Sequence, residues 1–160
     1  MAVRFANLAD IPGIVELGKA IHAESRYRTL GYDPVKLNRM FSGIISSPKG
    51  THCCFVAEHQ GQISGVMIGC VEECFFSNDR VANSILIYVD PKRRGGSTAL
   101  KFIHAFRNWA VNRNAVELSL GVASGVTIDR TDRFLKRLGM QMVGGNYTLS
   151  LQPNAQSKAA

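Results

Sequence analysis

A mixed α/β fold is predicted for this chain, with one sheet and helices on its faces. Two observations lead there. Apolar residues recur at helical spacing in four stretches, and the intervening apolar stretches are short, continuous or alternating, as in strands. The helical period dominates before His52 and gives way to strands after it. No repeat and no shift of composition divides the 160 residues. One domain is therefore expected over 1–152, with a loose tail over 153–160.

Taken in order, Val3 to Ala6 is a short strand. Ile11, Ile14, Val15, Gly18 and Ile21 mark a first helix, with Asn7 or Asp10 as cap and Pro12 in its first turn. "SRYRTLGYD" breaks the pattern. Asp33 and Pro34 open a second helix with a stripe of Leu37, Met40, Phe41 and Ile44. "CCFVAEH" and "ISGVMIGCVEE" flank "QGQ", a hairpin signal. "FFSNDRVAN" is a connection, and "SILIYV" reads as a buried central strand. A third helix runs from about Ser97 to Val111, with Ala99, Phe102, Ile103, Phe106 and Ala110 inward. "NAVELSLGV" is the next strand. Thr127, Thr131, Phe134, Leu135 and Leu138 define a fourth helix that Gly139 ends. "MQMVGGNYTLSL" reads as a closing hairpin that turns at Gly144-Gly145.

Hydrophobic residues make up 46% and charged residues 19%, which excludes a disordered chain. The apolar runs are too short to span a bilayer and the N-terminus has no signal-peptide core, so a cytoplasmic protein is expected. The net charge of +7 favours acidic partners. Nucleic acid is the weaker choice among them, for want of an aromatic RNA-binding motif or a helix-turn-helix. Cys53, Cys54, Cys70 and Cys74 form no C-x-x-C pair, and His22, His52, His59 and His104 are scattered. Buried thiols and no metal site are expected.

The chemistry concentrates in "YVDPKRRGGSTALKFI", Tyr88 to Ile103. A strand ends at a proline, and a basic, glycine-rich turn leads into a helix. Helix N-termini offer unpaired amides and a partial positive charge to anions. Gly95 and Gly96 let a backbone approach a ligand closely, Arg93 and Arg94 add charge, and Ser97 and Thr98 add hydroxyls. The pattern is neither a P-loop nor a G-x-G-x-x-G fingerprint. A phosphate cradle and a plain basic turn both fit these residues.

The same stretch resembles the acetyl-CoA-binding motif of the GCN5-related N-acetyltransferases, the GNAT superfamily, written [RQ]-x-x-G-x-[GA] after V-x-P. Val89 and Pro91 supply the V-x-P, Arg93 the first motif position and Gly96 the fourth. Thr98 stands where Gly or Ala is usual. "VRFANLADIPGIVEL" resembles the family's opening, and "RFLKRLGM" resembles its later L-Y-x-x-x-G-F segment. The resemblance covers about Val3 to Leu151. It implies a mostly antiparallel sheet of about six to seven strands flanked by four helices. It also implies acetyl transfer from acetyl-CoA to a primary amine by direct attack, with no metal and no membrane.

By this resemblance the backbone of Arg94 to Thr98 holds the pyrophosphate. Ile87, Tyr88 and Val89 splay from the neighbouring strand and meet the pantetheine, which Ser124 would also touch. The family's tyrosine acid is replaced by Leu135, an asparagine seven residues earlier by Ile128, and its strand-four glutamate by Asn83 and Ser84. Glu72 or Glu73, if buried, would substitute as base, since burial favours the protonated carboxyl. Solvation at a strand end is the alternative. Tyr147 is the substitute acid or a packed sheet residue. Tyr27, Tyr32, Arg26 and Arg28 form an acceptor wall or a surface loop. A CoA-binding sensor without turnover is the other functional reading, and a homodimer is compatible with both.

Overall fold

In a computed structural model of the chain, residues 2–47, 49–121, 124–149 and 151 are described. They group into two compact units that meet between Val126 and Thr127.

The first unit holds five strands in the order β1-β2-β3-β4-β5 and three helices. The strands are β1 (Ala2–Phe5), β2 (His52–His59), β3 (Gln62–Glu73), β4 (Arg80–Val89) and β5 (Ala115–Leu120). All neighbours pair antiparallel except β4 and β5, which are parallel because a helix crosses between them. The "QGQ" hairpin forms as expected: His59 pairs with Gln62, and Gln60 and Gly61 both take positive φ. β4 begins at Arg80 rather than Ser84. Its first residues read as a polar connection in sequence, yet they ladder with both β3 and β5.

The helices are α1 (Ile11–Glu24), α2 (Pro34–Ile45) and α3 (Thr98–Val111). Asn7 caps a single 3-10 turn that leads into α1, whereas Asp10 is tied to Arg4. The Asp33 carboxylate accepts from the Val35 and Lys36 amides, and so starts α2. α1 and α2 cover one face of the sheet, where Ile11, Ile14, Leu17 and Phe41 bury against Cys54, Val56, Val66 and Ile68. α3 covers the other, where Phe102, Phe106 and Trp109 meet Cys53, Phe55, Met67 and Val71. The run "CCFVA" is apolar throughout because alternate residues serve opposite cores. Burial pushes the Cys53 and Cys54 thiols up to about 12, so neither is a nucleophile at neutral pH.

The second unit contains α4 (Ile128–Arg137), which Gly139 ends at positive φ as expected. The closing hairpin is not there: residues 140–149 and 151 carry no strand, and the described residues form five strands rather than six or seven. Met140–Leu151 has the alternation of a hairpin but many polar and glycine residues, so little apolar area drives its pairing. The tail expected over 153–160 lies outside the described residues. No helix among the described residues is long and apolar enough to cross a membrane.

Candidate active site

The fold opens one gap in its own sheet. The β4–β5 ladder runs from Arg80 and Ala115 to its last pair, Ser84 and Leu120. β4 then continues to Val89, and among the described residues no strand pairs with it on that edge. Two features set the point of parting. The Gly121 amide donates to the Ser84 hydroxyl at 3.0 Å. Directly after it, Ile85 bulges out of the β3–β4 ladder and stands 57% exposed.

Beyond the bulge the backbone alternates. The Asp90 amide donates to the Ser64 carbonyl, which turns the polar groups of Val89 and Ile87 toward the open edge. The side chains of Ile87 and Val89 pack toward α3, and that of Tyr88 packs toward α1. The chain thus presents backbone donors and acceptors, rather than side chains, to the gap.

At the end of β4 the chain makes a 3-10 turn, Pro91–Arg93, capped by the Asp90 carboxylate, and then enters α3. Gly95 has φ +92°, a conformation in which a side chain would be strained. A Cβ at Gly96 would meet only the Arg93 carbonyl, at 3.9 Å, so the turn is open to an approaching group. Ser97 makes no side-chain cap bond, and the first helical bond is from Lys101 to Ser97. The first turn of α3 therefore has donors without helical acceptors, as an anion needs. Thr98 is buried where the helix starts, with its side chain inside the fold. Arg93 is exposed, while Arg94 turns inward.

The Arg94 guanidinium is held on three sides. Its Nε donates to the Val89 carbonyl at 2.9 Å, and both terminal nitrogens reach the Glu24 carboxylate, at 2.5 and 2.6 Å. It stacks 5.1 Å above the Tyr88 ring, whose hydroxyl donates to Glu24 at 2.7 Å. The bonds from Arg94 hold the Glu24 carboxyl below its ordinary range, against an opposing effect of burial, with Tyr88 assisting. Burial, and then the Glu24 carboxylate, push the Tyr88 phenol up to about 12. Glu24 was missed in the sequence. A signal did exist: it is the last residue of α1, where a negative charge opposes the helix dipole. A residue so placed calls for a cation from elsewhere.

The turn after α1 reaches across to the other side of the gap, where the Arg26 amide donates to the Ser124 carbonyl at 2.9 Å. Glu24 so ties the end of α1 to the turn after β4, and Arg26 ties the following turn to Ser124, downstream of β5. Tyr27 is half-buried under the Arg26 guanidinium, 4.4 Å from its ring centre. Tyr32 lies elsewhere. Its hydroxyl donates to the Val15 carbonyl and packs over Gly18, so it anchors the chain to α1.

Among the proposed acid and base groups, Glu72 and Glu73 are both exposed, so the condition of burial is not met and the alternative of solvation at a strand end holds. The strand carries them past the edge of both cores. Glu72 accepts from the Asn83 amide at 2.7 Å. Tyr147 is 98% exposed within the second unit, in a segment without strands, and so is not a packed sheet residue. Leu135 lies on α4.

No family model matches the sequence, and no curated protein matches it by sequence. Solved structures do match. Glucosamine-6-phosphate N-acetyltransferase from Arabidopsis thaliana has a TM-score of 0.73 at 17% identity, covering 94% of this chain and 98% of its own. A predicted acetyltransferase with acetyl-CoA from Clostridium acetobutylicum has 0.70 at 20%, covering 94% and 96%. A transcriptional regulator from Bacillus halodurans has 0.76 at 16%, covering 93% and 98%. The chain has the GNAT-like acyl-CoA N-acyltransferase fold.

Proposed function

We propose that the chain is an N-acetyltransferase that moves an acetyl group from acetyl-CoA to a primary amine within a ternary complex. One observation carries the reading. β4 runs five residues past its last pairing with β5, and the open edge leads straight to a glycine turn and a helix N-terminus. An extended amide-bearing arm ending in a pyrophosphate needs that sequence of partners: a strand edge first, then an anion cradle.

In this reading the backbone of Arg94 to Thr98 holds the pyrophosphate, with the Arg94 amide itself kept in the 3-10 turn by the Pro91 carbonyl. The groups of Ile87 and Val89 bond the pantetheine arm like a missing strand, and Ser124 borders the far side. An amide near Val89 faces the carbonyl oxygen of the thioester as it gathers negative charge. The neutral amine forms the new C–N bond as the C–S bond breaks. The amine's proton leaves to water and the thiolate takes one from water. Water serves in both roles because Glu72, Glu73 and Tyr147 are exposed, and Leu135 and Ser84 stand at the usual acid and base positions. Tyr27, rather than the anchored Tyr32, then lines the acceptor side with Arg26 and Arg28.

A CoA-binding sensor without turnover is the second reading. It is favoured by the exposure of Glu72, Glu73 and Tyr147, and by Leu135 and Ser84 at the usual acid and base positions. Thiol release from acetyl-CoA across a panel of amines, together with calorimetric CoA binding, separates the two. Release with any amine supports the enzyme. Binding without release on all of them supports the sensor, and no binding rejects both.

A further inference from the structure

We infer that Glu24 is a positioning residue for acyl-CoA, acting through Arg94 at the open end of the β4–β5 gap; this rests on the acyl-CoA reading above. Glu24 and Arg94 are 70 residues apart in sequence, yet they meet in a two-pronged ion pair with side chains only 29% and 25% exposed. A pair of that geometry fixes the plane of the guanidinium as well as its position. The same guanidinium donates to the Val89 carbonyl, on the edge of β4 that β5 leaves open. Arg94 also immediately precedes Gly95 and Gly96. One side chain therefore links the strand edge, the glycine turn and the end of α1. Tyr88 closes the set, with its ring beneath the guanidinium and its hydroxyl on the same carboxylate.

The charge arrangement argues that this is not there for the helix. A carboxylate on the last residue of α1 opposes the helix dipole, so Glu24 weakens α1 and is offset only by Arg94 and Tyr88. What the pair secures lies on the cofactor side. Without Glu24, Arg94 keeps its bond to Val89 but loses the partner that sets its direction, and the turn that follows loses its anchor. The amine side, formed after Ser25, is tied instead through Arg26 to Ser124.

The test compares wild type with Glu24→Gln, Glu24→Asp, Arg94→Gln and Glu24→Gln/Arg94→Gln. Glu58→Gln, which breaks the remote Arg4–Glu58 pair, serves as a control for simple loss of an ion pair. In Glu24→Gln the acetyl-CoA KM and the CoA Kd rise by about tenfold or more, while kcat and the amine KM change by less than about threefold. Glu24→Asp recovers part of the loss, the double variant is no worse than Glu24→Gln, and Glu58→Gln matches wild type. Thermal unfolding of each variant shows that it is folded. A Glu24→Gln protein whose acetyl-CoA KM stays within about twofold of wild type overturns the inference alone. So does a double variant whose loss is the product of the single losses. Wild type that binds no CoA overturns the acyl-CoA reading and this inference with it.

Discussion

The Gly121 amide and the Ser84 hydroxyl lie 3.0 Å apart at the point where β4 and β5 part company. A side-chain bond thus marks the end of a parallel ladder that stays in register from Val81 and Glu117 up to that pair. Ser84→Ala removes the acceptor while leaving the pairing before it. Gly121 is exposed, so water replaces the lost partner and the stability cost is about 0.5–1.5 kcal/mol in urea unfolding. The larger effect is on CoA affinity, which drops several-fold because the width of the gap is no longer set. Unchanged affinity in calorimetry would show that the bulge at Ile85 sets the gap by itself.

Gly96 tests the cradle. Its Cβ position is open, so Gly96→Glu folds with a Tm close to wild type. The new carboxylate stands at the start of α3, where the dipole welcomes it and where the pyrophosphate would bind. CoA binding is lost by about a hundredfold or more, because the new side chain fills the space of the pyrophosphate and its carboxylate repels it. Wild-type affinity in this variant would move the anion site away from α3.

The sequence announces the cradle because all of its parts are local: proline, arginines, glycines and helix start lie within Pro91 to Thr98. The helix starts at Asn7 and Asp33 are legible for the same reason. The gap itself is not legible. "SILIYV" is apolar on both faces, and nothing in it marks where β5 stops pairing, because Leu120 and Gly121 come from more than thirty residues further on. Glu24 hides for a related reason. Its partners Tyr88 and Arg94 are 64 and 70 residues away, and only its poor fit to the end of α1 hints at them. The closing hairpin shows the converse: Met140–Leu151 alternates as strands do, but carries too little apolar area to hold them together.

The Glu24 cluster leaves a mark on the pH dependence of stability. The Glu24 carboxyl titrates below its ordinary value of 4.5 when folded, through Arg94 first. The stabilisation is therefore fully present above that value and is lost as pH falls through the lower, folded one. Tyr88 has the opposite sign. Its phenol is raised from 10.0 to about 12, so its contribution is present below 10 and is lost as pH rises toward 12. Wild type minus Glu24→Gln stability, followed by urea unfolding from pH 2 to 7, should shrink on the acid side. In ultraviolet titration Tyr88 should ionise toward pH 12, and earlier in Glu24→Gln. A difference in stability that is flat with pH would mean that Arg94 does not hold the carboxylate in solution.

The position of the cradle depends finally on how closely α3 lies on the sheet, and Gly69 governs that. Gly69 pairs with Ser84 across β3 and β4, at the edge of the bulge. A Cβ there would come within 2.2 Å of the Phe106 ring, which is fully buried on α3. An aromatic ring fully buried in the core between α3 and the sheet has little room to retreat. Gly69→Ala therefore lifts α3 or forces Phe106 off its rotamer, at a cost of about 1–3 kcal/mol. Because Thr98 begins the same helix, the shift reaches the amides at its start, and CoA affinity weakens along with stability. Adding Phe106→Leu opens space beside the new methyl group. The double variant should then be more stable than the sum of the two single losses, and should regain CoA affinity lost by Gly69→Ala. If the two losses simply add, α3 is not seated by this contact, and the helix start is set by the turn at Pro91–Arg93 instead.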